Sequence, residues 1–194
     1  PCVLHVSVTH LNPQDIELFY DLFAQQKLDF AQEGQRPSDY IQHFYDQFPA
    51  LLLEIPKRFA ETSSQHLKEK LLICLAHRKS PLALELQAFI LQQFIFSSET
   101  PPQPIFYCCL NALGQCKNIT VPEHIILQIK SLLHHDDVWY VPMDSMMTLS
   151  QLGVREAWFK QHLLDALDDP YGCDDLTPQG TSIEILTRWG NDGL

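Results

Sequence analysis

Glycine is scarce in this chain of 194 residues, with only 7 present. A loop that cradles phosphate on its backbone N–H groups needs a glycine-rich stretch, and none exists here. Basic residues are also few, 13 Lys and Arg against 24 Asp and Glu, for a formal net charge of −11. Binding through nucleic-acid phosphates needs Lys and Arg to displace counterions, so the balance argues against a nucleic-acid partner. No apolar run approaches the roughly 18 residues of a membrane span, which argues against a membrane partner. No basic segment followed by an apolar one marks a signal peptide, so a cytoplasmic protein is the expectation. There is no H-E-x-x-H, no G-x-S-x-G and no C-x-x-C, so the sequence predicts no enzyme of those classes, no metal and no cofactor.

What is present is a core-forming chain, 45% hydrophobic. Six cysteines occur: Cys2, Cys74, Cys108, Cys109, Cys116 and Cys173. Cys74, Cys108 and Cys109 fall inside apolar helical stretches, where Cys acts as a small core residue, so free thiols in a reducing compartment are expected. Asn118-Ile119-Thr120 has the form of a glycosylation sequon and falls at a predicted helix start.

Helical periodicity runs through nearly the whole chain. Asn12-Pro13 reads as an N-cap with Pro at the first helical position, and Gly34 and Pro37 close that helix. A second helix spans 38–48, and residues 50–62 form a short helix interrupted by Pro56. Further helices are predicted near 64–77, 81–96, 103–116, 122–134, 137–151, 154–167 and 178–189. Ser80-Pro81 and Thr177-Pro178 read as caps, and Thr120-Val121-Pro122-Glu123 as a capping box. Residues 1–11 stand apart: Leu4, Val6 and Val8 alternate with polar residues, the period of a strand. The division is thus an extended segment over 1–11 and one helical domain over 12–194.

Inside that domain a motif recurs. Leu72-x-x-Leu75-Ala76, Leu110-x-x-Leu113-Gly114, Leu149-x-x-Leu152-Gly153 and Leu186-x-x-Trp189-Gly190 follow one another at offsets of 38, 39 and 37 residues. Each motif ends a predicted helix, and an apolar residue or Thr precedes its first Leu: Leu71, Cys109, Thr148 and Ile185. One unit is then two helices and a turn. A lone helical hairpin cannot bury both apolar faces, and stacking the next unit on it extends a core along one axis.

The motif and its period resemble the HEAT family of helical repeats. So do the Leu-rich runs ending in Asp, Leu132-Leu133-His134-His135-Asp136-Asp137 and Leu164-Asp165-Ala166-Leu167-Asp168-Asp169. The resemblance covers 64–190, and 12–62 only as helices without the motif. It implies an all-α fold, a short right-handed α-solenoid of antiparallel helical hairpins of HEAT or armadillo type. It also implies a surface for binding proteins. Some HEAT-like proteins are enzymes, among them iron-dependent hydroxylases, DNA glycosylases and phycobilin lyases. The His-Glu pairs of the first and the basic groove of the second are missing here. A HEAT-like enzyme or lyase acting on a bound small molecule or chromophore is the alternative.

Charge is unevenly spread. Residues 1–135 hold 13 acids and 10 bases, whereas residues 136–194 hold 11 acids and 3 bases. The acids cluster at predicted inter-repeat loops: Asp136 and Asp137, then Asp165, Asp168 and Asp169, then Asp174 and Asp175. The bland reading is a solvated edge with Asp residues serving as N-caps. The sharper reading is an acidic face that steers a basic protein partner. Trp139, Tyr140 and Trp158 lie beside these loops, as interface anchors or as packing between repeats. A calcium loop does not fit the spacing of the Asp residues. His134-His135 reads as histidine at a helix C-terminus, and His162 with Asp165 as a surface pair. The expected function is therefore a non-catalytic protein-binding module. Its small size and acidity also suit an immunity protein that neutralises a basic nuclease toxin.

Overall fold

All regular structure in the computed structural model is α-helical among the described residues, which are 13–24, 49–76, 82–98, 104–134, 140–168 and 177–190. The extended segment expected at 1–11 and the helix expected at 38–48 lie outside them. The helices are α1 Pro13–Ala24, α2 Pro49–Leu53, α3 Ile55–Glu61, α4 Gln65–Ile73 and α5 Leu84–Ser98. They continue as α6 Pro104–Leu113, α7 Glu123–Leu132, α8 Val141–Gln151, α9 Ala157–Leu167 and α10 Pro178–Trp189. No helix among the described residues is long and apolar enough to cross a membrane.

The helix boundaries follow from local chemistry. Pro49 opens α2, and the break before α3 falls at Glu54, with Pro56 in the first turn where a missing N–H costs nothing. The Thr177 hydroxyl accepts from the Gly180 N–H at 3.1 Å and Pro178 opens α10, as expected of that cap. The expected capping box at Thr120 does not form. Pro122 holds the preceding residue away from helical dihedrals and is itself extended (φ −58, ψ 143), so α7 starts at Glu123 with no side-chain cap. Asn118 and Thr120 consequently sit exposed in the α6–α7 connection, not at a helix start. The expected cap at Ser80-Pro81 lies outside the described residues, and α5 begins at Leu84.

The recurring motif supplies the core. Leu72, Leu75, Leu110, Leu113, Leu149, Leu186 and Trp189 are all buried, and so are Leu71, Cys109, Thr148 and Ile185 one position earlier. The small residue that ends each motif acts in two ways. Gly153 (φ 80) and Gly190 (φ 64) take left-handed dihedrals that strain other residues. Gly114 instead allows close approach: a Cβ there would lie 3.3 Å from Cβ of Gln151, one unit on.

Each motif helix packs on the next motif helix and on the helix that precedes it. α4 packs on α6, α6 on α8 and α8 on α10, while α5 packs on α6, α7 on α8 and α9 on α10. The Thr148 hydroxyl donates to the Leu110 carbonyl at 3.0 Å, in the helix of the preceding motif. Asn111 Nδ2 donates to Asp144 at 3.1 Å, and the Tyr107 and Tyr140 rings meet at 5.5 Å. Gln87, fully buried on α5, donates to the Leu82 carbonyl at 2.7 Å and accepts the Asn118 N–H at 3.0 Å. That one side chain ties the entry of α5 to the turn after α6. The Phe94 and Phe106 rings meet at 5.1 Å at the other end of the same helix pair. At the start of the described chain, α1 docks through Tyr20, whose hydroxyl donates to the Leu51 carbonyl, and through Glu17, ion-paired with Arg58. The hydrogen bond from Arg58 holds the Glu17 carboxyl below its ordinary range.

Candidate functional site

The acids and aromatics predicted to bind a partner divide between described and undescribed residues. Asp136, Asp137, Trp139, Asp169, Asp174 and Asp175 lie outside the described residues. Tyr140, Trp158, Asp165 and Asp168 lie within them.

Asp165 and Asp168 are brought together at one helix end. Asp165 sits in the last turn of α9, exposed, and accepts from Gln161 Nε2 at 2.7 Å. Asp168 is the C-cap, also exposed, its backbone N–H bonded to the Asp165 carbonyl at 3.2 Å. The reading of these acids as N-caps is corrected here for Asp168. The cap of α10 is Thr177, that of α9 is Glu156, and that of α8 is Tyr140. The difference matters electrically. A helix C-terminus carries about half a negative charge, and acids there are unfavourable by roughly 0.3–1 kcal/mol each. No base stands in the last turn of α9 to offset them. The helix end and its two carboxylates therefore add to one negative field.

Elsewhere in the C-terminal third, Arg188 and Arg155 are engaged. Arg188 is ion-paired with Glu184 on α10, and the Arg155 guanidinium lies 5.2 Å from the centre of the Trp189 ring. Glu184 offsets the charge of Arg188 within α10, whereas Arg155 keeps its charge over the ring.

The two aromatics are built into packing between helices. Trp158, half-buried, lies under Lys130 of α7, with Nζ 4.3 Å from the ring centre, and beside the buried Phe159 at 5.5 Å. Phe159 in turn meets Trp189 of α10 at 5.8 Å. Tyr140, also half-buried, packs on Tyr107 of α6, and burial pushes its hydroxyl above the ordinary tyrosine range. Trp158 thus belongs to the α7–α9 contact and Tyr140 to the α6–α8 contact.

One pair was not foreseen from sequence. The rings of His134, just past α7, and His162, on α9, meet edge to face at 5.4 Å with an interplanar angle of 89°. The signal was present but indirect: Lys130 and Trp158 are separated by the same number of residues, so one rung implies the next. Burial first, then His134, lowers the pKa of His162, while Asp165 raises it.

Two concavities complete the surface. A groove of about 490 Å³ runs between the α6–α7 and α8–α9 turns, floored by Ile119, Ile126 and Val154 and rimmed by Lys117 and Glu156. A smaller one of about 220 Å³ lies between α1, α3 and α4, beside Tyr20 and Arg58. Among the described residues, no group of three or more His, Cys, Asp or Glu side chains is placed to hold a metal ion. No protein-family model, curated protein or solved structure matches the chain.

Proposed function

We propose that this chain is a protein-binding module, a short α-solenoid whose acidic C-terminal edge captures a basic protein. The stacked arrangement is supported by the order of contacts. From Tyr107–Tyr140 to Asn111–Asp144, contacts advance together along α6 and α8. From Lys130–Trp158 to His134–His162 they do the same along α7 and α9. Contacts run in opposite senses between α5 and α6, from Phe94–Phe106 to Gln87–Asn118. They also do so between α9 and α10, from Leu167–Gln179 to Phe159–Trp189. Parallel contacts between successive motif helices, and opposed contacts between a motif helix and the helix before it, support a stack.

The observation that carries the functional reading is the placement of Asp165 and Asp168 at the negative end of α9, in the C-terminal third that holds 11 acids and 3 bases. Stability alone favours bases at that helix end. Acids that oppose it suit a surface selected for its field, which speeds and orients capture of a positively charged partner.

The test is capture of partners from native lysate by the wild type and by a variant with Asp165, Asp168, Asp169, Asp174 and Asp175 changed to Asn. The reading expects a basic partner that is lost in the variant and in high salt. A partner retained in both conditions would remove the acidic edge as the site. In the more particular form, an immunity protein, co-expression protects cells from a basic nuclease toxin and reversal of the same charges abolishes protection.

A further inference from the structure

We propose that the His134–His162 contact is a proton-sensitive joint between α7 and α9, closed while the rings are neutral and loosened when both are charged. The geometry comes first. The rings lie 5.4 Å apart edge to face, an attractive arrangement for neutral rings because a positive edge meets a π face. A single proton on the pair is tolerated, since a cation over a ring face is also attractive. A second proton places two like charges at that spacing, with His162 half-buried and poorly solvated.

Among the described residues, the charged groups acting on His162 are His134, which opposes its protonation, and Asp165, which favours it. Asp165 stands one turn away on the same helix and also accepts from Gln161. On α7 the next charge is Lys130, held over Trp158 one turn earlier, and it adds positive charge to the same contact. Burial is the largest influence on His162 and works against charge. The sign of the linkage follows. His162 has a lowered pKa in the folded chain, so the folded form binds fewer protons than the unfolded one. Its contribution to stability is full above the unfolded value of 6.5 and is lost as pH falls through the folded value.

The α7–α9 contact consists of side-chain rungs, so weakening one rung loosens α9, the helix that carries Asp165 and Asp168. A His162 imidazolium also cancels part of the charge of Asp165. The consequence for partner capture rests on the proposed function; the joint itself does not, and its test uses no partner.

The experiment follows the histidine ring resonances of the full chain by NMR titration, in the wild type, His134→Gln and His162→Gln. It then compares amide exchange within α9 at about pH 5 and about pH 7.5. The joint requires His162 to titrate at higher pH in His134→Gln than in the wild type. It also requires α9 amides to exchange about threefold or more faster in the wild type than in His134→Gln near pH 5, and no faster near pH 7.5, where the neutral contact holds α9 in the wild type. Comparing the two proteins at one pH removes the intrinsic pH dependence of exchange and the effects of the other histidines. His134 is exposed, so His134→Gln folds even if His162→Gln does not. An unchanged His162 titration, or equal α9 exchange in both proteins near pH 5, overturns the proposal.

Discussion

Changing Asp165 and Asp168 together to Asn should make the protein more stable while removing part of its acidic field. Both carboxylates sit where the last carbonyls of α9 already gather negative charge, and no base in that turn compensates. Relief at a surface-exposed helix end is worth roughly 0.3–1 kcal/mol per charge. The two acids are also three residues apart on one helical surface, a like-charge pair that costs a few tenths of a kcal/mol more. Asn keeps the acceptor that Gln161 uses, so little is lost in return. The expected gain is about 0.5–1.5 kcal/mol, or roughly 2–5 °C in Tm for a chain of this size. Urea denaturation at low salt, near pH 8 where His162 is neutral, measures it as a shift in midpoint at constant slope. Raising salt to about 0.5 M cuts the screening length to about 4 Å and should remove most of the gain. A variant no more stable than the wild type, or a gain indifferent to salt, would refute the claim that these acids oppose their helix. A stabilised variant that has also lost its partner would show a surface kept acidic at the expense of stability.

The remaining predictions concern the scaffold. Gln87→Leu removes one buried and one part-buried hydrogen bond and orphans the Leu82 carbonyl, so a loss of about 2–3 kcal/mol is expected by urea denaturation. A loss below about 0.5 kcal/mol would mean water replaces the side chain. Ser145 and Ser182 are fully buried at equivalent positions of successive units, and their hydroxyls have no hydrogen-bond partner among the described residues. Ser145→Ala and Ser182→Ala should each be neutral or stabilising by up to about 1 kcal/mol, and a clear destabilisation would reveal a hidden partner. Burial pushes the Cys108 thiol up to about 11 and that of Cys116 up to about 12, leaving almost no thiolate at neutral pH. Alkylation near pH 8 followed by peptide mapping should leave both unmodified until the protein is denatured; rapid native labelling of either would contradict the packing.

Much of the helical order was legible because it depends on neighbours close in the chain. The pattern Leu-x-x-Leu puts both side chains on one face of a helix, so burial of Leu72 with Leu75, and Leu110 with Leu113, follows from spacing alone. Thr177-Pro178 was legible for the same reason, since a cap is a bond across three residues. The Thr120 box failed because Pro122 constrains the residue before it more strongly than the hydroxyl attracts the chain. Repetition extended local reading further: the offset of 39 residues between the second and third motifs anticipated that Cys109 and Thr148 are both buried, one position before the first Leu.

The site was less legible. The sequence by itself determined the helices, their apolar faces, the repeat and the excess of acid in the C-terminal third, because composition and short-range periodicity carry those properties. Tertiary structure alone decided that Trp158 lies under Lys130 and that His134 meets His162. Those outcomes depend on the rotation and stagger of one helix against another, which packing of whole side chains sets and no local pattern encodes.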